Sequence, residues 1–463
     1  MELMKYLAQE PYTVYPNSHE VCAAGELAMV CCGGELYLAV SGALRQRFTG
    51  EDKGGYKLCP ADHCNRLVIN RLLDYTRPVA FGCEGTSFGF GDRLGFANAA
   101  QVRSVRKTAA RPVLAQQSLR ELQLTGRSRS EVMDSAAWAV LREGYRLGYS
   151  CDGDHLKTQE EIRQAVEDGC SMITVDCSLV MGRGGAQALS QTDRADYLES
   201  AQAAALNLHF TEEMLLQLHG VYDGAIALSR QVYDESIASA GRPIDLEISL
   251  DETEETTTPE GHYFVARELQ RAGVAVTSMA PRFVGEFQKA VEYRGDVAEL
   301  KRTMHLHAAI AAHFGYKLSL HSASEKFVAL PILMEATGGH CHIKTSGTSW
   351  LEVVEAVSKG DYPLYRRIHA AALEGIEEAR HHYVVHCDLA NVPALDTVAD
   401  EHLADYLLQD DSRQLLHITY GHILDIPELK RDILQFLKDN RALYEAEAED
   451  LYDRHFAAMY ERA

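Results

Sequence analysis

The sequence predicts an α/β protein: a TIM-like (β/α)8 barrel with an N-terminal hairpin extension and C-terminal helices. Three observations predict it. From about residue 79 onward, strand-like runs alternate with helical patterns, which argues a parallel sheet wound with helices. Eight such runs can be counted, the number a closed (β/α) barrel requires. Several of them carry charge at alternate positions, where a parallel strand covered on both faces normally reads as continuous Val, Ile and Leu.

Residues 25–40 read as the hairpin: LAMVCC, then Gly33-Gly34, then ELYLAVS. Barrel strands are expected at 79–82, 112–116, 148–153, 171–176, 244–250, 274–280, 316–321 and 341–345. The Gly-rich run GTSFGFGDRLGFAN (85–98) follows the first of these as a loop, and it fits neither GxGxxG nor the P-loop spacing. Helical connections fall at 130–146, 158–168, 259–272, 296–314 and 349–358. Thr258-Pro259-Glu260 marks a helix start, with Pro at the first position and an acid in the first turn. The connection 178–243 exceeds one crossover helix and is expected to hold two or more, around 194–206 and 211–238. Past 360 the pattern is helical and charged, closing on EAEAEDLYDRHFAAMYERA as an exposed amphipathic helix. The expected division is an extension at 1–78 packed on the barrel, a catalytic barrel at 79–360 and a helical extension at 361–463. LLHITYG (415–421) reads as a ninth strand, and a doubly wound open sheet is the alternative architecture.

Composition bounds the function classes. The 463 residues are 46% apolar and 24% charged, as in ordinary globular proteins. With a net charge of -22 and no basic stripe, nucleic acid is not an expected partner. No run of eighteen apolar residues suits a membrane span, and the N-terminus lacks a signal pattern, so a cytoplasmic location is expected. Eleven scattered Cys residues give no disulfide framework, and Cys59, His63 and Cys64 in CPADHC lack the second knuckle of a zinc site. An acidic protein can still bind an anionic small molecule through a few local Arg and Lys.

The charged strands carry the candidate chemistry. In IDLEISLDE (244–252), Leu246, Ile248 and Leu250 oppose Glu247, Ser249 and Asp251. Leu318 and Leu320 oppose Lys317, Ser319 and His321, and His342 shares a side with Lys344. Buried polar groups are costly unless they are paired or do chemistry. Asp154-His155 closes the run CDGDH, which reads either as a ligand beside a base or as an Asp/Gly turn. Asp251 or Glu252 could supply a ligand or an acid/base, whereas Glu254 and Glu255 read as solvated loop. His155, His321 and His342 with a carboxylate suit a divalent transition metal, of which Zn, Mn, Ni, Co and Fe all accept imidazole and carboxylate. Arg93 could grip a carboxylate in a fork. AQQSLREL (115–122), with Gln117, and KTSGTSW (344–350), with Lys344, place further candidate substrate-binding residues just past strands. Lys344 could serve as a Schiff-base nucleophile, but beside metal ligands a charge-stabilising role suits it better.

At these residues the chain resembles a known family. DGDHLKT, LDETEETTTPEGHYFVARELQRAGV, SMAPRFVGEFQKAVEYRGD, HFGYKLSLHSASEKF and HIKTSGTSWLEVV look like the tagaturonate epimerase family, as do FGFGDRLG and AQQSLREL. The likeness spans about 80–360, with small departures at the Ala of SLHSASEKF and the Ser of KTSGTSW. It implies a TIM-like barrel, no nicotinamide, and a divalent-metal-dependent interconversion of D-tagaturonate and D-fructuronate. Carried over by position, it implies Asp154 and Glu252 as the acid/base pair, with His155, His321 and His342 on the metal. The expected partner is a small sugar acid, with neither nucleic acid nor membrane, and the sequence leaves open whether the chain forms a homo-oligomer.

The two sugar acids are 5-keto acids epimeric at C3, counted from the carboxylate. A ketone acidifies only its α protons, so enolisation cannot invert a β carbon. Retro-aldol cleavage of C3–C4, rotation of the aldehyde and re-addition would invert it, whereas transient oxidation would need a hydride acceptor that the sequence does not locate. The rival readings are epimerisation of the neutral ketohexoses fructose and tagatose, a metal-dependent aldolase, and a non-catalytic sugar-binding protein.

Overall fold

The computed structural model describes residues 2–185, 188–253, 255–347 and 349–461. Glu254 of the acidic run therefore lies outside the described residues. Five strands form an antiparallel N-terminal sheet: β1 (Thr13–Cys22), β2 (Gly25–Cys32), β3 (Glu35–Val40), β4 (Glu51–Asp52) and β5 (Lys57–Pro60), in the order β1-β2-β3-β5-β4. The expected hairpin is β2–β3, and its turn uses Gly33 and Gly34 at φ 56° and 81°, the left-handed pair that a two-residue hairpin loop demands. Leu27, Met29 and Leu38 of this sheet pack on Trp138 and Leu141 of helix Arg129–Arg142.

Eight parallel strands close the barrel: β6 (Ser87–Gly91), β7 (Arg111–Ser118), β8 (Ser150–Leu156), β9 (Met172–Asp176), β10 (Asp245–Ser249), β11 (Ser278–Ala280), β12 (Lys317–Leu320) and β13 (Cys341–Thr345), with β13 returning to pair β6. Seven coincide with expected runs. The first does not: residues 79–82 form no strand, and the N–H groups of Phe81 and Gly82 donate to the Asp245 carboxylate instead. The true first strand, SFGFG, lies inside the run read as a Gly-rich loop. Phe88 and Phe90 face outward and pack on Phe456 and Tyr452, with ring centroids 5.0 and 4.9 Å apart. Gly89 faces the interior, where a Cβ would sit 1.8 Å from Gln116 Oε1. Glycine hid the alternation because the inward positions of β6 have to be nearly empty.

Two bulges shift the side-chain parity. One extra residue in β7 between Val113 and Ala115, and one in β8 between Gly153 and Leu156, each move the following residues to the opposite face. The expected ninth strand is helical. LLHITYG spans the helices Asp410–Ile418 and Tyr420–Asp425, where Leu415, Leu416, Thr419, Tyr420, Ile423 and Leu424 recur at helical spacing and are all buried. The last helix, Arg441–Tyr460, is not an exposed amphipathic one either. It buries Leu451, Tyr452, Phe456 and Met459 against the barrel wall and Tyr444 among the C-terminal helices. Helix Glu212–Val232 is the longest element of the long connection after β9. Among the described residues, no helix is long and apolar enough to cross a membrane.

The approach of β6 to the loop after β13 leaves no room at Gly91, where a Cβ would lie 2.4 Å from the backbone N of Gly347. Gly91→Ala should cost about 1–3 kcal/mol of stability by overpacking. Gly220→Ala, in a helix with open space around it, should cost nothing. Urea denaturation of the two variants checks the contrast, and equal stabilities would refute it.

Candidate active site

The interior of this barrel is charged. Lys344, on β13, reaches across to Asp154 (2.6 Å), Asp152 (2.7 Å) and Glu247 (3.2 Å), and donates to Thr174 Oγ1 at 2.6 Å. Burial works against its charge, but the three carboxylates outweigh that and hold the ammonium well above its ordinary range. Lys344 is thus a locked cation and not a free amine nucleophile. Burial raises Asp152, whereas Lys344 overcomes burial to keep Asp154 and Glu247 ionised. Glu247 also accepts from Ser278 Oγ at 2.6 Å, so its oxygens are fully engaged.

Above this layer, at the C-terminal ends of the strands, the barrel opens into a cavity of about 280 Å3. His155 is the next-to-last residue of β8, and His321 follows β12. Their rings meet edge to face with centroids 5.0 Å apart. Asp251, two residues past β10, joins them, so that one donor atom from each of the three lies within 4.8 Å of the others. His321 contacts both Asp251 oxygens through Nδ1 at 3.1 Å and Glu247 through Nε2 at 2.8 Å. Burial opposes its protonation, yet these two carboxylates lift it to about 10. Asp176, also in the cavity wall, lies 3.8 Å from His155 Nδ1 and 3.3 Å from Lys157 Nζ. Despite burial, His155 and Ser178 hold it at about 2.

The backbone is strained at this place. His155 adopts φ 52° on the β8 bulge, and Ser322, directly after His321, adopts φ 51°. Non-glycine residues hold such angles only where their surroundings dictate them, a pattern typical of functional sites.

Of the expected site residues, Asp154, His155, His321, Lys344 and Arg93 line one cavity, with Glu252 exposed at its edge. Arg93 is buried. Its Nε donates to Glu121 Oε1 at 2.9 Å, its guanidinium lies 3.5 Å over the Tyr420 ring, and its Nη1 has no partner. Asp92 positions it by accepting four consecutive N–H groups, from Gly95 to Asn98. Gly347, at φ 65°, leaves the space, since a Cβ there would sit 2.2 Å from the guanidinium carbon.

Two expected residues are not brought to the cavity. His342 shares the interior face with Lys344 but sits one layer deeper, since two residues of strand span roughly 6–7 Å. Its Nδ1 pairs with Ser87 Oγ at 2.9 Å, and burial pushes it down to about 3. Gln117 is turned away by the β7 bulge and its Oε1 accepts from Arg127. Gln116 takes the inward place. Sequence reasoning missed Asp176, Lys289, Ser346 and Tyr383. Asp176 ends a strand and was readable by period. The others arrive on loops and on the C-terminal helical segment, with no local signal.

Removing Lys344 would leave buried carboxylates uncompensated. Lys344→Met should cost about 3–5 kcal/mol in urea denaturation, and adding Asp152→Asn should recover part of it. A single variant as stable as the wild type would contradict the ion cluster.

Comparison with known proteins places the geometry. The tagaturonate epimerase family model matches residues 21–459. The tagaturonate/fructuronate epimerase of Thermotoga maritima is 37% identical over 402 residues, 83% of each chain. The native crystal structure of fructuronate-tagaturonate epimerase UxaE from Cohnella laeviribosi has a TM-score of 0.91 and 40% identity, covering 99% of this chain and 98% of that one. The same enzyme in complex with two glycerols gives a TM-score of 0.92, with 100% and 99% covered.

Proposed function

The chain belongs to the tagaturonate epimerase family, and on that premise we propose that its cavity interconverts D-tagaturonate and D-fructuronate. It is an epimerase, an enzyme of the isomerase class. The observation that carries the substrate reading is an unneutralised cation. Arg93, Arg120, Lys157, Lys289 and Lys344 share the cavity wall with six carboxylates, and among the described residues Lys289 is held only by hydroxyls, which suits an anionic sugar better than a neutral ketohexose. Interconversion of a small sugar acid suits a cytoplasmic location.

His155, His321 and Asp251 fit a divalent cation. Two imidazole nitrogens and a carboxylate oxygen within 4.8 Å of one another suit Zn, Mn, Ni, Co or Fe. Glu247 on the far nitrogen of His321 is the outer carboxylate that orients such ligands. When bound, the cation supplies Lewis-acid stabilisation of negative charge on the substrate.

The chain's own groups then divide the proton chemistry. A base takes the C3 hydroxyl proton. The O–H pair becomes the aldehyde C=O, and the C3–C4 pair passes into the enediolate. The aldehyde turns, and the reverse steps return the epimer. The two epimers present that hydroxyl in opposite directions, so two acid/base groups are needed. Glu252, at the cavity edge, serves one. Asp154, kept ionised and held by Lys344, serves the other. Arg93 lines the cavity, and its buried Nη1 has no hydrogen-bond partner among the described residues. Ser118 and Gln116 also line the cavity, Ser118 Oγ accepting from the Glu121 N–H and Gln116 Nε2 donating to the Thr345 carbonyl.

The test is an NMR assay of D-tagaturonate with enzyme stripped of metal and then resupplied with Mn, Ni or Zn. D-fructuronate should appear only with metal. Accumulating three-carbon fragments would favour the aldolase, and no reaction with any metal would defeat the reading. In the same assay, Glu252→Gln should lower kcat by about 100-fold or more with the fold intact. Wild-type kcat in that variant would remove Glu252 from the acid/base pair.

A further inference from the structure

We propose that Lys289, with the hydroxyls of Ser322 and Ser346, forms the cradle for the substrate's carboxylate and is the residue that selects a sugar acid over a neutral sugar. This rests on the reading that the cavity binds a hexuronate.

The first argument is the state of the cavity's cations. Lys344 is held by three carboxylates, Lys157 lies 3.3 Å from Asp176, and Arg93 is paired with Glu121. Arg120 is on the exposed rim, with its guanidinium 4.8 Å from the Tyr383 ring. Arg120 also has no carboxylate partner among the described residues, but Lys289 differs in being partly buried and held by hydroxyls. Its Nζ donates to Ser322 Oγ at 3.2 Å and Ser346 Oγ at 3.0 Å, and no carboxylate among the described residues pairs with it. An ammonium ringed by hydroxyls is a donor set without an anion, and a carboxylate completes it by charge-assisted hydrogen bonds.

The second argument is position. Ser322 follows β12 and Ser346 follows β13, the seventh and eighth strands of the barrel. The loops after these two strands are where (β/α)8 barrels commonly hold the anionic end of a substrate. Ser322 is one of the residues with positive φ, so its hydroxyl is aimed by a strained backbone.

The third argument is rigidity. Four consecutive carbonyls around Lys289 are each held by a side-chain donor from elsewhere. Lys326 Nζ donates to the carbonyls of Gln288 (2.9 Å) and Val291 (2.5 Å), Gln414 Nε2 to that of Lys289 (3.3 Å), and Arg413 Nε to that of Ala290 (3.0 Å). Ala290 itself stands at φ 63°. A loop clamped at every carbonyl presents its lysine preorganised, so little freedom is lost when the anion arrives. Lys326 is buried, and with its three carbonyl partners it serves this loop as a positioning residue.

The experiment measures KM and kcat for D-tagaturonate, and its Kd by calorimetry, in the wild type, Lys289→Met and Lys289→Arg, with thermal denaturation to verify folding. Lys289→Met should raise KM and Kd together by about 10- to 100-fold, the loss expected for a charge-assisted hydrogen bond, with kcat little changed. Lys289→Arg should recover most of the affinity. KM and Kd unchanged in Lys289→Met, or a fall in kcat alone, would overturn the cradle. Wild-type enzyme that binds D-tagaturonate without converting it would defeat the activity reading, and the cradle would still be judged on Kd. Wild-type enzyme that neither binds nor converts it would overturn both.

Discussion

One ammonium group holds the centre of this barrel together. Lys344 meets Asp152, Asp154 and Glu247 from three directions, in a place where a hydrophobic barrel would stack Val, Ile and Leu. Taking such ions out of water costs several kcal/mol each, and only close geometry with every remaining lone pair engaged offsets it. Thr174 and Ser278 supply those remaining bonds. The charges above depend on this layer. Glu247 faces Lys344 on one side and His321 on the other, so the barrel's own cation fixes the carboxylate that orients the imidazole.

The irregular backbone lies close to this layer. A regular strand would point His155 and Gln116 along a strict alternation. The bulges in β7 and β8 break that alternation and bring Gln116, Ser118, Asp154 and His155 to one opening. Gly91 and Gly347 make room for the loops to pass each other, and for the Arg93 guanidinium to lie flat between Gly347 and Tyr420. Conformations that are unfavourable alone are held by the packing around them.

The C-terminal helices belong to the same construction. Tyr420 lies under Arg93, Tyr383 forms part of the cavity wall, and Arg413 and Gln414 hold the loop that carries Lys289. The final helix covers β6 with Tyr452 and Phe456, which is why that strand alternates Phe with Ser and Gly. An interior with so many polar groups needs a rigid outer shell, and these helices supply part of it.

The sequence by itself determined the barrel class, seven of its eight strands and the residue types of the site, because burial of an alternating strand leaves a period-two trace that needs no partner to be read. The same period brought Asp251, His321 and Lys344 forward as candidates, whereas Asp154-His155 came from a strand end and Glu252 from a charged run, both supported by the family resemblance. What the period could not carry is height along the barrel, parity after a bulge, or the path of a loop. His342 was on the expected face but one layer too deep, and Gln117 yielded its place to Gln116 through a single inserted residue. The strand SFGFG was obscured because its inward side must be empty for Gln116 to fit, a demand made by another strand. Lys289, Tyr383 and Tyr420 reach the site through contacts between segments far apart in the chain. Only the tertiary structure decided these, because each depends on which distant side chain or backbone group occupies the neighbouring space.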